Sequence, residues 1–151
     1  MNKVIAIDPG IGGGSAYFDS LGQMVLRKFT TEAELTDLIQ GLDNDVVAVV
    51  EDVPKFVSSA TSSSSSFKLG YNYGYYIGAL RTRRIQVNLV KPQVWQKGLV
   101  GLRPKMGYTA RKRTLKDNAC RLFPSLKITH AVADAVLILN WWSEKHGFRL
   151  P

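Results

Sequence analysis

With one cysteine in 151 residues, Cys120, the chain can close no disulfide of its own. That cysteine lies between Ala119 and Leu122 on an apparent helix, which reads as a buried, inert thiol rather than a nucleophile. No apolar run approaches the roughly 18 to 20 residues of a membrane span. The N-terminus enters a strand directly, without a signal-peptide pattern. A protein of the cytoplasm with no membrane partner is expected. Acid is scarce in one region: from Arg81 to Lys127, thirteen Lys and Arg face the single acid Asp117, a local net charge of +12 in a chain whose total is +8. The remaining residues therefore carry −4, so a basic surface and an acidic cluster are segregated in sequence. That division suits a polyanionic partner held near a carboxylate site. A composition that is 45% hydrophobic and 21% charged is globular, and 1–151 is read as a single domain.

The most informative stretch runs from Val4 to Phe18. Val4 to Ile7 is continuously apolar and partly β-branched, as in a strand buried on both faces. Asp8 ends it. Pro9, Gly10 and Gly12 to Gly14 then make a tight turn, whose small residues let Ser15 to Phe18 fold back while something large and anionic approaches the backbone. A carboxylate at such a strand end is poorly solvated and needs a partner, most economically a metal ion.

Met24 to Phe29 completes an antiparallel meander through the turn from Asp19 to Gly22. Thr30 or Thr31 caps a helix with Leu35, Leu38, Ile39 and Leu42 at helical spacing, and Asp45 to Val50 forms a second buried strand ending in Glu51 and Asp52. A helical crossover between the two apolar strands sets them in one sheet, where parallel neighbours are expected. Strands lie about 4.8 Å apart, so Asp8 and Glu51 could share a cation or bridge two. Asp52 points to the other face and is the bystander. Pro54 to Ser66 reads as a loop, with Lys55, Phe56, Phe67 and Lys68 offering stacking and phosphate contacts at its edges. A helix from Ser66 to Arg83 carries Gly70, Gly74 and Gly78 every fourth residue, a placement that calls for close packing against the sheet or a second subunit ahead of DNA. Ile85 to Val90 is a further strand, Pro92 opens a short helix, and Trp95 is core. Gly98 to Tyr108, with Arg103 and Lys105, is a basic loop; Thr109 caps a helix bearing Arg111, Lys112, Arg113 and Lys116, the best phosphate contacts. Phe123 and Pro124 stop it.

The last helix begins near Thr129. His130 and Asp134 are four apart, hence on one face of an otherwise apolar and small-residue segment, and are read together as part of a metal site.

Taken in order, Ile5–Gly10, Val49–Glu51, Leu69–Gly70 with Gly74 and Gly78, Leu89–Lys97, Phe123–Pro124 and His130–Ile138 cover nearly the whole chain. The set resembles the RuvC-type Holliday junction resolvases of the ribonuclease H-like superfamily, in the compact form seen among bacteriophage proteins. The resemblance implies an α/β fold with a mixed five-stranded sheet, a three-strand antiparallel meander plus parallel strands, flanked by helices. It implies metal-binding acids at Asp8, Glu51 and Asp134. The family's fourth position, an Asp or His three residues before the last acid, falls on Ala131, with His130 one residue earlier; His130 still shares the helix face as a fourth ligand or a base. The expected cofactor is Mg²⁺, with Mn²⁺ able to substitute, two ions per site, and no nucleotide cofactor. The expected partners are four-way DNA junctions and a second copy of the chain, in a bacterial or phage-infected cell. The expected reaction is phosphodiester hydrolysis by paired symmetric nicks, leaving 5′-phosphate and 3′-hydroxyl. Two other readings stand beside it: a non-catalytic module that binds branched DNA through charge, and an actin-like phosphotransferase whose glycine turn cradles ATP phosphates.

Overall fold

The computed structural model describes residues 3–54 and 61–147. The antiparallel meander forms as expected: β1 (Val4–Asp8) pairs with β2 (Gly14–Phe18), and β2 with β3 (Met24–Lys28). Helix α1 (Glu32–Gln40) follows, with the Thr31 hydroxyl accepting from Glu34 N–H at its N-terminus. It carries the chain over to β4 (Val47–Glu51), which lies parallel to β1 with Ile7 beside Val50. Helix α2 (Ser63–Thr82) carries it on to β5 (Gln86–Val90), parallel to β4 with Glu51 beside Val90. The sheet order is β3-β2-β1-β4-β5. One-turn α3 (Pro92–Trp95), α4 (Tyr108–Leu122) and α5 (His130–Lys145) complete the chain. This is the mixed five-stranded sheet flanked by helices expected of the ribonuclease H-like fold.

The sheet has a core on each face. Ile5, Ile7, Ala48 and Val50 pack with Leu35 and Ile39 of α1 and Tyr76 and Leu80 of α2. Val4, Ala6 and Val49 pack with Leu115 and Ala119 of α4 and the run Val132–Leu139 of α5, with Asp134 the buried polar residue within that run. No described helix is long and apolar enough to cross a membrane.

Three local expectations change. The serine run is not all loop: Ser62 is the N-cap of α2, its hydroxyl accepting from Ser65 N–H at 3.1 Å, and the helix starts three residues before Ser66. Serine is a modest helix former in the interior but a strong one at the cap. The basic helix α4 starts at Tyr108 with Gly107 as its cap, so Thr109 already lies inside the first turn. Finally, a Cβ added at Gly70, Gly74 or Gly78 would meet nothing within 4 Å. The glycine face of α2 thus does not pack on the sheet; Tyr76 and Leu80, at other angles on the helix, do that.

Candidate functional site

Register brings the strand-end acids together. Asp8 follows Ala6 and Glu51 follows Val49 by two residues, so both side chains take the sheet face covered by α5. They lie at the carboxyl ends of adjacent parallel strands, where open α/β sheets place ligands. Asp134, in the second turn of α5, is 5% exposed, as is Asp8. The approach of α5 depends on Gly14, where an added Cβ would come within 3.2 Å of the Ala131 carbonyl oxygen and 3.1 Å of Val132. Gly13 serves Asp8 itself: a Cβ there would sit 2.2 Å from the Asp8 carbonyl oxygen and 2.9 Å from its carboxyl carbon. Where a large anionic group was expected at this turn, the glycines wrap Asp8's own carboxylate instead.

Each of the three carboxylates has one oxygen tied and one without a hydrogen-bond partner among the described residues. Asp8 Oδ1 accepts from Gly10 N–H at 2.9 Å. Glu51 Oε2 accepts from the indole N–H of Trp95 at 2.9 Å. Asp134 Oδ2 accepts from the Lys112 ammonium at 2.6 Å, while its Oδ1 is buried with no partner. Burial, and then the Asp134 charge, push the Asp8 carboxyl up to about 6. Burial, and then Asp8 and Asp134, push Glu51 up to about 8. Lys112 is pulled down by burial, but the charges of Asp134 and Asp8 outweigh this and raise it overall. The cluster is thus three acids against one ammonium, short of positive charge. Among the described residues no group of three or more His, Cys, Asp and Glu forms a ready-made coordination shell. The donors nevertheless fit a divalent cation in kind and charge: hard carboxylate oxygens, one of them orphaned in the interior.

The other sequence candidates divide. His130 is the exposed first residue of α5 and makes no hydrogen bond or ion pair to the three acids. Lys112 is drawn out of the expected row of phosphate contacts into the acidic cluster. Its stripe with Leu115 and Ala119, three and seven residues on, is the sequence signal that it faces inward. Arg111 donates to the buried amide oxygen of Gln96. Arg113, Arg103 and Lys105 are exposed and Lys116 half-buried. The loop that holds Arg103 and Lys105 is anchored at its start, where buried Asn118 accepts from Val100 N–H at 3.0 Å and donates to its carbonyl at 2.9 Å. Phe67 is 73% exposed and stacks on Tyr71 at 6.4 Å, which in turn stacks on Tyr75 at 6.5 Å; Lys68 beside it is exposed. Lys55 and Phe56 lie outside the described residues. Asp52 is structural, accepting from the Tyr73 hydroxyl at 3.1 Å on the α2 side.

No protein-family model and no curated protein matches the chain. Solved structures do. Thermus thermophilus RuvC in complex with a Holliday junction substrate superposes with a TM-score of 0.60 at 15% identity, covering 96% of both chains. A second Thermus thermophilus RuvC structure gives 0.57 at 15% identity over 99% of both chains. The likeness is one of fold, and it runs the full length: the architecture is RuvC-like.

Proposed function

We propose that this protein is a metal-dependent, structure-selective DNA endonuclease that resolves four-way junctions by paired symmetric nicks, leaving 5′-phosphate and 3′-hydroxyl ends. The observation that carries this reading is the meeting of Asp8, Glu51 and Asp134 at one end of a RuvC-like sheet, each with one oxygen held by an N–H donor and Asp134 Oδ1 left without a partner among the described residues. These residues would hold Mg²⁺, or Mn²⁺ in its place, as a pair of ions. When bound, such ions supply Lewis acidity to the scissile phosphate and lower the pKa of water, the two requirements of in-line hydrolysis.

The chain's own residues do the rest. Lys112 balances one of the three acids and, next to the scissile position, would hold a phosphate oxygen. Arg103, Lys105, Arg111, Arg113 and Lys116 would hold backbone phosphates, and Lys55, Phe56, Phe67 and Lys68 the strands near the branch. His130, at the exposed end of the helix that carries Asp134, is assigned the role of proton acceptor or fourth ligand. Phosphate contacts carry no sequence information, so junction preference would come from shape, read by two sites fixed in one homodimer. The fold neighbour whose structure holds a Holliday junction supports the substrate class. Both neighbours are Thermus thermophilus proteins, and the bacteriophage form finds no further support in them. A junction-processing enzyme would work in the cytoplasm, where the DNA is.

The two alternatives fare less well. In a phosphotransferase the glycine turn must leave room for phosphates, but here Gly10 and Gly13 close on Asp8. A non-catalytic module gives no reason for three acids clustered against one ammonium, two of them buried. The test is Asp8→Asn. Binding to a four-way junction is expected to stay within a few-fold of wild type while cutting is lost; equal loss of both would sink the assignment.

A further inference from the structure

Glu51 differs from the other two acids in how it is held. Asp8 and Asp134 are short side chains, fixed by a backbone N–H and by an ammonium. Glu51 has one more rotatable bond and stands half-buried at the end of β4. What holds it is Trp95. The chain leaves β5 at Val90, the register partner of Glu51, turns through Pro92, and five residues later delivers the indole back beneath the carboxylate. Trp95 is 2% exposed, and an indole N–H can only donate, so a buried one needs an acceptor. Glu51 Oε2 is that acceptor. A phenyl ring would fill much of the same core space, so packing alone does not call for the N–H. The donor is also neutral. Lys112 brings a positive charge to Asp134 and opposes a cation; the indole orients Glu51 without discharging it.

We propose that Trp95 is a positioning residue for Glu51, fixing its carboxylate so that Oε1 is presented to a divalent cation; this rests on the nuclease reading above. Groups that hold a metal ligand by its second atom set the ligand's aim, and their loss typically weakens metal binding by 10- to 100-fold. Asp8 and Asp134 keep their own anchors when Trp95 is changed.

The test uses the whole protein without DNA and Mn²⁺ as the probe. By calorimetry, Trp95→Phe is expected to bind Mn²⁺ about tenfold more weakly than wild type. Glu51→Gln should be weaker still, and the double variant no weaker than Glu51→Gln alone, because Trp95 acts through Glu51. Wild-type affinity in a folded Trp95→Phe protein would overturn the proposal while leaving the nuclease reading intact. Should that variant fail to fold, the side-chain N–H resonances of the three tryptophans decide. The Trp95 signal is expected to move with Glu51→Gln and with Mg²⁺, and a signal unmoved by either would overturn the assignment. Absence of both Mn²⁺ binding and junction cutting in wild type would remove the nuclease reading, and this inference with it.

Discussion

Asp8, Glu51 and Asp134 crowd three carboxyl groups around one ammonium, Lys112, and their mutual repulsion and burial decide how the site responds to pH and to a cation. Strand-end position and alternation were enough to place Asp8 and Glu51 together and to set Asp52 aside, because a two-residue period fixes which face a side chain takes. The donors to Glu51 and Asp134 are harder to read, since Trp95 and Lys112 reach the cluster through tertiary packing across 44 and 22 residues of sequence, and only the stripe of Lys112 with Leu115 and Ala119 marks one of them as facing inward. Two predictions belong at this scale. With Asp8 raised to about 6 and Glu51 to about 8, the folded metal-free protein binds more protons than the unfolded chain between about pH 4 and 8, so its stability falls as pH rises through that window. Glu51→Gln, which cannot ionise, is therefore expected to melt higher than wild type at pH 8 in EDTA and nearly equal to it near pH 4. The reverse order at pH 8 would mean that the Glu51 charge is compensated within the protein. Lys112→Met strips the ammonium from Asp134, which is almost fully buried, and should lower metal-free stability by about 3 kcal/mol. Mn²⁺ is expected to restore part of that loss in chemical denaturation; no recovery would argue that the cluster does not take a cation.

Among the elements, long periodic segments were readable and their ends were not. The five strands and the helices on both sheet faces follow from runs such as Val4–Ile7 and Val132–Leu139, where burial leaves little choice. The start of α2 falls three residues before the expected Ser66 because serine is ambiguous, weak inside a helix and strong at its cap. The glycine stripe of α2 calls for a sheet or a second subunit because close approach is the usual reason to tolerate interior glycines, and only the sheet is excluded by the open space around it. Its actual exposure gives a simple prediction. Gly74→Ala and Gly78→Ala add a methyl into open space and should each stabilise the protein by roughly 0.8 kcal/mol, measured by urea titration of dilute protein. A loss of stability that depends on protein concentration would show a second copy seated on that face.

For the molecule as a whole, charge segregation was legible from composition, whereas its geometry was not. Of the basic residues between Arg81 and Lys127, Lys112 and Arg111 spend their charge or their donors inside the protein, while Arg103, Lys105 and Arg113 stay exposed. Junction affinity should fall steeply with salt, and removing one exposed contact, as in Arg113→Ala, is expected to lower the slope of log K against log salt by about one without changing where the DNA is cut. If the three clustered acids of this RuvC-like fold act as proposed, the protein cuts branched DNA with a metal. The most direct measurement is cleavage of a synthetic four-way junction beside linear duplex of the same sequence, in Mg²⁺ and in EDTA, with nick positions mapped on every strand. Paired, symmetric nicks on the junction alone, lost in EDTA, are the predicted result. Tight junction binding with no cutting in Mg²⁺ or Mn²⁺ would contradict it.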